Sequence, residues 1–271
     1  MATITTTNSE IPDQKSSTPQ IHPATMFRTA QEGVTFRQRF TPQAANLQFL
    51  NCGEFFLAPD SESQTFCLPK HESLLFQWEG ATRARVDGVS YDLQPYDTLY
   101  VPRGAEMVLA NRGAVESRLF QCSAPAAQAH PAHHSRFAEI SRDESRIRHL
   151  KGKDVYLMFD VSEPADKLIA GYTFFRPFQR SWPPHNHTDQ EEVYIFINGH
   201  GSMEVYSEPE TLSFVHNVNR GDMVTIPFLN YHPVFSQQDP LEFIWCIAGE
   251  RYWIGDKNKD FMKGISGPIT T

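Results

Sequence analysis

The 271-residue chain carries 40% hydrophobic and 12% aromatic residues with 19 Pro and 15 Gly, the make-up of a turn-rich globular protein with room for one large or two small cores. A net charge of −8 with no basic run excludes a nucleic-acid binder that works by neutralising phosphates. No stretch is apolar enough to span a bilayer, the first residues are polar, and Cys52, Cys67, Cys122 and Cys246 form no CxxC pair, so reduced thiols and a cytoplasmic location are expected.

Residues 1–25 are rich in Thr, Ser and Pro without periodicity and are expected to be a disordered or arm-like tail. From Leu47 the chain turns to short strand-like runs separated by turn residues: Leu47 to Cys52, Phe55 to Leu57, Ser73 to Trp78, Ala81 to Val86 with Asp87-Gly88 as a hairpin turn, Thr98 to Val101, and Val108 to Ala110. An Ala/Pro/His stretch from Ser123 to Ser145 breaks the pattern. Its His130, His133 and His134 have no strand to fix a metal geometry, so it reads as a linker. A short helical turn is expected over Glu139 to Arg148, with Ser141 to Glu144 as a capping box.

Strand-like runs resume at Gly171 to Phe175, Val193 to Ile197, Gly201 to Tyr206 as the hairpin partner of that run, Met223 to Ile226, Pro233 to Phe235 and Phe243 to Ala248. The organisation expected is all-β: residues 26–125 and 151–271 as two barrels, joined by a linker at 126–150.

The stretch Pro184-His185-Asn186-His187 through Glu191-Glu192-Val193-Tyr194 to Gly199 carries the chemistry. In extended backbone, side chains two apart share a face, so His185 and His187 aim at one point. Glu192 lies an odd number of residues beyond His187, so a turn or bulge at Thr188-Asp189-Gln190 must re-phase the chain before Glu192 and Tyr194 join that face. His232 then closes the site from a distant strand. Three imidazoles and a carboxylate suit a borderline divalent ion, with zinc first and manganese, nickel or iron also fitting.

HxH, four residues, Glu, six residues, Gly, followed by Gly221-Asp222, Pro227 and His232, resemble the two cupin motifs in residue type and spacing. Setting Ser73 to Gly80 against Glu192 to Gly199 aligns the halves as duplicated cupins: a bicupin of two tandem double-stranded β-helix (jelly-roll) barrels with few short helices. In that register Phe66, Leu68, Ser73 and Met107 stand where His185, His187, Glu192 and His232 stand. The first barrel is therefore expected to be metal-free and filled by Phe66, Leu68 and Met107.

The resemblance runs from about Gly53 to Asp256 and is closest to the bicupin uronate ketol-isomerases, which act on 4-deoxy-5-ketouronate in pectin breakdown or 5-deoxyglucuronate in inositol breakdown. Gly80-Ala81-Thr82, Val86-Asp87-Gly88, Asp97 to Val101, Cys122 to Pro125 and Phe243 to Glu250 carry it. It implies one divalent ion on His185, His187, Glu192 and His232, a small sugar-acid substrate and a homo-oligomer. Pro183-Pro184-His185 and Tyr231 to Val234 resemble the inositol branch, which is narrowly favoured, although its longer segment before the Glu is missing here.

Such an isomerisation needs an electrophile for a carbonyl oxygen and a group that moves a proton. Tyr194, Tyr231 and Glu250 are the candidates for the proton, with Glu191 expected on the opposite face. A substrate carboxylate would be gripped by Arg176, Arg180 or Arg251, and Trp182, Tyr252 and Trp253 could wall the pocket. The ligand set alone also supports an oxidative cupin of the dioxygenase kind or a non-catalytic sugar-binding cupin.

Overall fold

The computed structural model describes residues 18–23, 33–208 and 211–252. In chain order the strands are β1 (Gln20–His22), β2 (Val34–Phe40), β3 (Asn51–Leu57), β4 (Ser61–Glu62), β5 (His71–Glu79), β6 (Thr82–Val86), β7 (Val89–Leu93), β8 (Thr98–Val101), β9 (Met107–Asn111), β10 (Ser117–Pro125) and β11 (His133–Ser135). After the single turn α1 (Phe137–Ile140) come β12 (Ile147–Leu150), β13 (Lys153–Phe159), β14 (Leu168–Phe175), β15 (Gln190–Asn198), β16 (His200–Glu208), β17 (Thr211–Asn219), β18 (Met223–Ile226), β19 (Val234–Ser236) and β20 (Leu241–Gly249).

These strands build two antiparallel barrels. In the first, a sheet ordered β11-β8-β5-β10-β3-β2 packs on one ordered β4-β9-β6-β7; in the second, β1-β18-β15-β20-β14-β13-β12 packs on β17-β16-β19. The two large sheets then meet back to back. Their central strands are buried on both faces, which is why β5 and β15 read as continuous apolar runs rather than alternating ones. Leu74 and Phe76 enter the seam between barrels while Leu75 enters the first barrel's core. Likewise Val193 and Ile195 enter the seam while Tyr194 and Phe196 enter the second barrel. The all-β bicupin architecture expected from sequence is the one observed.

Two buried carboxylates cross the seam in opposite directions. Glu191 on β15 accepts the backbone N–H groups of Gln48 (2.6 Å), Phe49 (2.7 Å) and Leu50 (2.6 Å), which lead into β3. Glu72 on β5 accepts those of Asp166 (2.9 Å), Lys167 (2.7 Å) and Leu168 (3.1 Å), which lead into β14, and also the Tyr100 hydroxyl at 2.8 Å. Each carboxylate satisfies a turn of backbone donors that would otherwise be stranded in a dry interface.

Several local expectations change. Leu47 to Leu50 is not a strand: the amides of Gln48, Phe49 and Leu50 point to Glu191, and the ladder of β3 starts at Asn51. β16 is not the hairpin partner of β15. The chain turns at Gly199 (φ +74°) into the opposite sheet, and β16 pairs with β17 and β19. β17 escaped notice because most of its residues are exposed and it lacks an apolar run. The helical turn falls at Phe137–Ile140, where Ser141 ends it, and Asp143 caps a separate 3-10 turn over Glu144–Arg146. Phe66 and Met107 pack in the first barrel as expected, whereas Leu68 is half-exposed.

The tail and linker are less passive than their composition suggests. Within the expected tail, residues 20–22 form β1 on the open edge of β18. Within the expected linker, residues 133–135 form β11 on the matching edge of β8. Both large sheets expose an edge at the same place, and each short strand covers one. His130 and His134 of that linker contact Asp166 (2.8 Å) and Asp97 (3.1 Å) rather than one another. The rest of the tail, residues 1–17 and 24–25, lies outside the described residues.

Glu191→Gln replaces one acceptor oxygen with a donor at a site that needs acceptors only. It is expected to lower unfolding stability by roughly 2–4 kcal/mol, read as the urea midpoint; an unchanged midpoint would contradict the clasp.

Candidate metal centre and its cavity

His185 and His187 lie in an extended segment just before β15, and a bend at Thr188-Asp189 re-phases the chain so that Glu192 joins them from within the strand. His232 arrives from the far side, between Tyr231, which bridges to Tyr206, and β19. The two ligand-bearing segments are tied together: Leu229 N–H donates to the His187 carbonyl at 2.6 Å, and Asn186 Nδ2 donates to the Leu229 carbonyl at 3.1 Å. The Asn230 side chain closes that turn on the carbonyls of Pro227 and Phe228.

The four side chains offer ligand atoms that all lie within 4.8 Å of one another. His187 Nε2 and His232 Nε2 approach the same oxygen, Glu192 Oε2, at 3.3 and 3.0 Å. Yet none of these three buried atoms makes a hydrogen bond of acceptable geometry, nor does His187 Nδ1. Their lone pairs converge on a shared point instead of on each other, which is the arrangement a cation satisfies and hydrogen bonding does not.

Tautomer and charge fit the same reading. His232 Nδ1–H donates to the Asn230 carbonyl at 2.8 Å, which leaves Nε2 as the lone-pair nitrogen. Burial holds the His185 imidazole well below its ordinary range, and the neighbouring His232, His187, Lys153 and Arg148 push it further down, so it is a neutral donor. Burial alone would raise the Glu192 carboxyl, but the flanking His187 and His232 rings outweigh it and keep the group a carboxylate. The residues present fit a divalent ion.

The centre opens into a cavity of about 710 Å³. Tyr194, Phe243 and Trp245 line its depth, and Trp182 lines its mouth. Tyr194 is buried with its ring 5.6 Å from that of His232, and burial together with Glu192 drives its phenol well above the ordinary value, so it stays protonated. Arg180 reaches the cavity from an exposed position, with its guanidinium 3.5 Å from the Trp182 ring centre.

The other sequence candidates lie elsewhere. Tyr231 is buried but does not line the cavity. Glu250 is exposed beyond the end of β20, outside the lining. Arg176 is exposed and 4.0 Å from Asp154. Arg251 is spent on the seam, where it donates to the carbonyls of Leu168, Ala165 and Asp160. Tyr252 does not line the cavity either, Trp253 falls outside the described residues, and Glu191 serves the clasp.

Lys153 is the lining cation with a readable signal that sequence reasoning missed. Lys153 begins β13 in phase with Val155 and Leu157, which face the barrel interior. A cation in step with a core row was the signal. Its Nζ donates to Ser181 Oγ at 2.7 Å, and burial with Arg148 nearby lowers its pKa to about 8.

A double barrel of this kind is a bicupin, here with a candidate metal centre in its second barrel. The chain belongs to the KduI/IolB family, whose family model matches residues 24–263. A curated relative from Opitutus terrae, a 4-deoxy-L-threo-5-hexosulose-uronate ketol-isomerase, is 23% identical over 74% of this chain and 76% of its own length. A relative of the same name from Bacillus pumilus is 25% identical over 73% of both chains. Among solved structures, an IolB-like protein from Salmonella typhimurium LT2 superposes with a TM-score of 0.73 at 18% identity, covering 91% of this chain and 99% of that one. Among the described residues no helix is long and apolar enough to cross a membrane.

An ion that binds only the folded chain stabilises it. Adding zinc to chelator-treated protein is expected to raise its melting temperature, and Glu192→Ala should abolish that rise while leaving the barrels folded. A full zinc-dependent rise in Glu192→Ala would remove Glu192 from the centre.

Proposed function

We propose that this chain is a metal-dependent ketol-isomerase of a deoxy-uronate, with 4-deoxy-L-threo-5-hexosulose uronate as its sugar and zinc as the first choice of ion. The observation that carries the reading is the convergence of three imidazoles and one carboxylate, with His185 and Glu192 on the wall of a cation-lined cavity. The names of the curated relatives supply the sugar. Pro183-Pro184-His185 and Tyr231 to Val234 keep 5-deoxyglucuronate as the second sugar to test.

In the isomerisation a C–H bond breaks at the hydroxyl-bearing carbon, a C–H bond forms at the former carbonyl carbon, and the hydroxyl proton passes to the old carbonyl oxygen. A bound divalent ion supplies a Lewis acid for the carbonyl oxygen and raises the acidity of its neighbour. His185, His187, Glu192 and His232 hold it. The protonated Tyr194 phenol donates a hydrogen bond to a substrate oxygen and serves as the local proton relay. Phe175, Phe243 and Trp245 keep water from the reacting carbons. The exposed Leu212 and Val215 on edge strand β17 support association into a homo-oligomer.

Turnover followed by NMR on zinc-loaded protein tests the reading. Ketose formation from 4-deoxy-L-threo-5-hexosulose uronate, lost in Glu192→Ala, is the expected result. Ketose from 5-deoxyglucuronate alone would move the chain to the other sugar. Oxygen consumption without ketose, or sugar binding without turnover, would overturn the isomerase.

A further inference from the structure

We propose that Lys153 and Ser181 form the seat for the substrate's carboxylate, which makes Lys153 the residue that selects a sugar acid over a neutral sugar; this rests on the isomerase reading of the same cavity. Although the chain has a net charge of −8, Lys151, Lys153 and Arg180 all line this cavity, and among the described residues Glu192 is the single carboxylate in the lining. Glu192 belongs to the metal centre, so the wall is left with a surplus of positive charge. Such a cavity concentrates anions.

Among these cations Lys153 is the one carried on an inward-facing strand position, and its surroundings are half apolar. Its ammonium lies 5.1 Å from the centre of the Phe175 ring and within bonding distance of Ser181 Oγ. Among the described residues no carboxylate stands within ion-pair distance of it. A half-buried cation with no counter-ion in bonding reach costs stability, and proteins keep such groups where a ligand supplies the missing charge. The lowered pKa of about 8 still lies above neutral pH, so the group remains a cation there. The Ser181 hydroxyl, which accepts from Lys153, has its own proton to give to a second carboxylate oxygen.

The arginines expected to do this work are worse placed. Arg176 is exposed, Arg251 is tied to carbonyls in the seam, and Arg180 stacks in the open on Trp182. Exposed pairs contribute little, whereas a desolvated pair discriminates strongly.

The test is steady-state kinetics of zinc-loaded Lys153→Met, Lys153→Arg and Ser181→Ala, with metal content and melting temperature recorded on each sample. Lys153→Met is expected to lose roughly a hundredfold in kcat/KM, chiefly in KM, with full metal content and a higher melting temperature. Lys153→Arg should recover part of the loss, and Ser181→Ala should lose several-fold. An analogue with the carboxylate reduced to a primary alcohol should be turned over as poorly by wild type as by Lys153→Met. Unchanged KM in Lys153→Met, or loss of metal from it, would overturn the seat. If wild type isomerises no uronate, the enzymatic reading fails separately. The seat is then judged by calorimetry with glucuronate and glucose: glucuronate binding that is absent in Lys153→Met supports it, and equal binding by both proteins overturns it.

Discussion

The reciprocal carboxylate clasp is the constraint on which the rest of the molecule depends. Two barrels that meet through large apolar sheets could slide, because hydrophobic contact is non-directional. Glu72 and Glu191 remove that freedom. Each accepts three consecutive amides from the segment entering a strand of the other barrel, so strand register and barrel register are fixed together. Glu191 neighbours Glu192. Alternation along β15 sends the first into the seam and the second into the cavity, so the residue that orients the barrels also sets the height of a candidate metal ligand.

The clasp also records how the two halves diverged. Glu72 and Glu191 occupy the same place in the aligned repeats, as do Ser73 and Glu192. Both halves keep the seam residue, which any back-to-back pair of barrels requires. The next position is a candidate ligand in one half and a short hydroxyl in the other, and Phe66 and Met107, which the repeat aligns with His185 and His232, pack as apolar side chains in the first barrel. The first barrel contributes rigidity and a seam; the second contributes the centre and its cavity. β1, from before the first barrel, covers an edge of the second, and β11, from between them, covers an edge of the first.

The double barrel and the four convergent side chains were legible because their signals are local: alternation, Gly at turns, and ligand spacing that survives a single bend at Thr188-Asp189. What was not legible depended on long-range geometry. Arg251 and Glu250 sit beside a well-read strand, but only the seam reveals that Arg251 serves backbone carbonyls and that Glu250 faces solvent. Leu47 to Leu50 has strand-like composition, and its last three amides are claimed by a carboxylate 141 to 143 residues away. Lys153 was readable in principle, since a cation in phase with Val155 and Leu157 breaks a core row. Without the cavity it resembles an ordinary strand end.

Anomalous diffraction at the zinc edge, from a crystal of zinc-loaded protein, tests the central claim most directly. The account predicts one strong peak per chain about 2.0–2.2 Å from a nitrogen of each of His185, His187 and His232 and from the Glu192 carboxylate. No peak there, or an ion held by other residues, would contradict it.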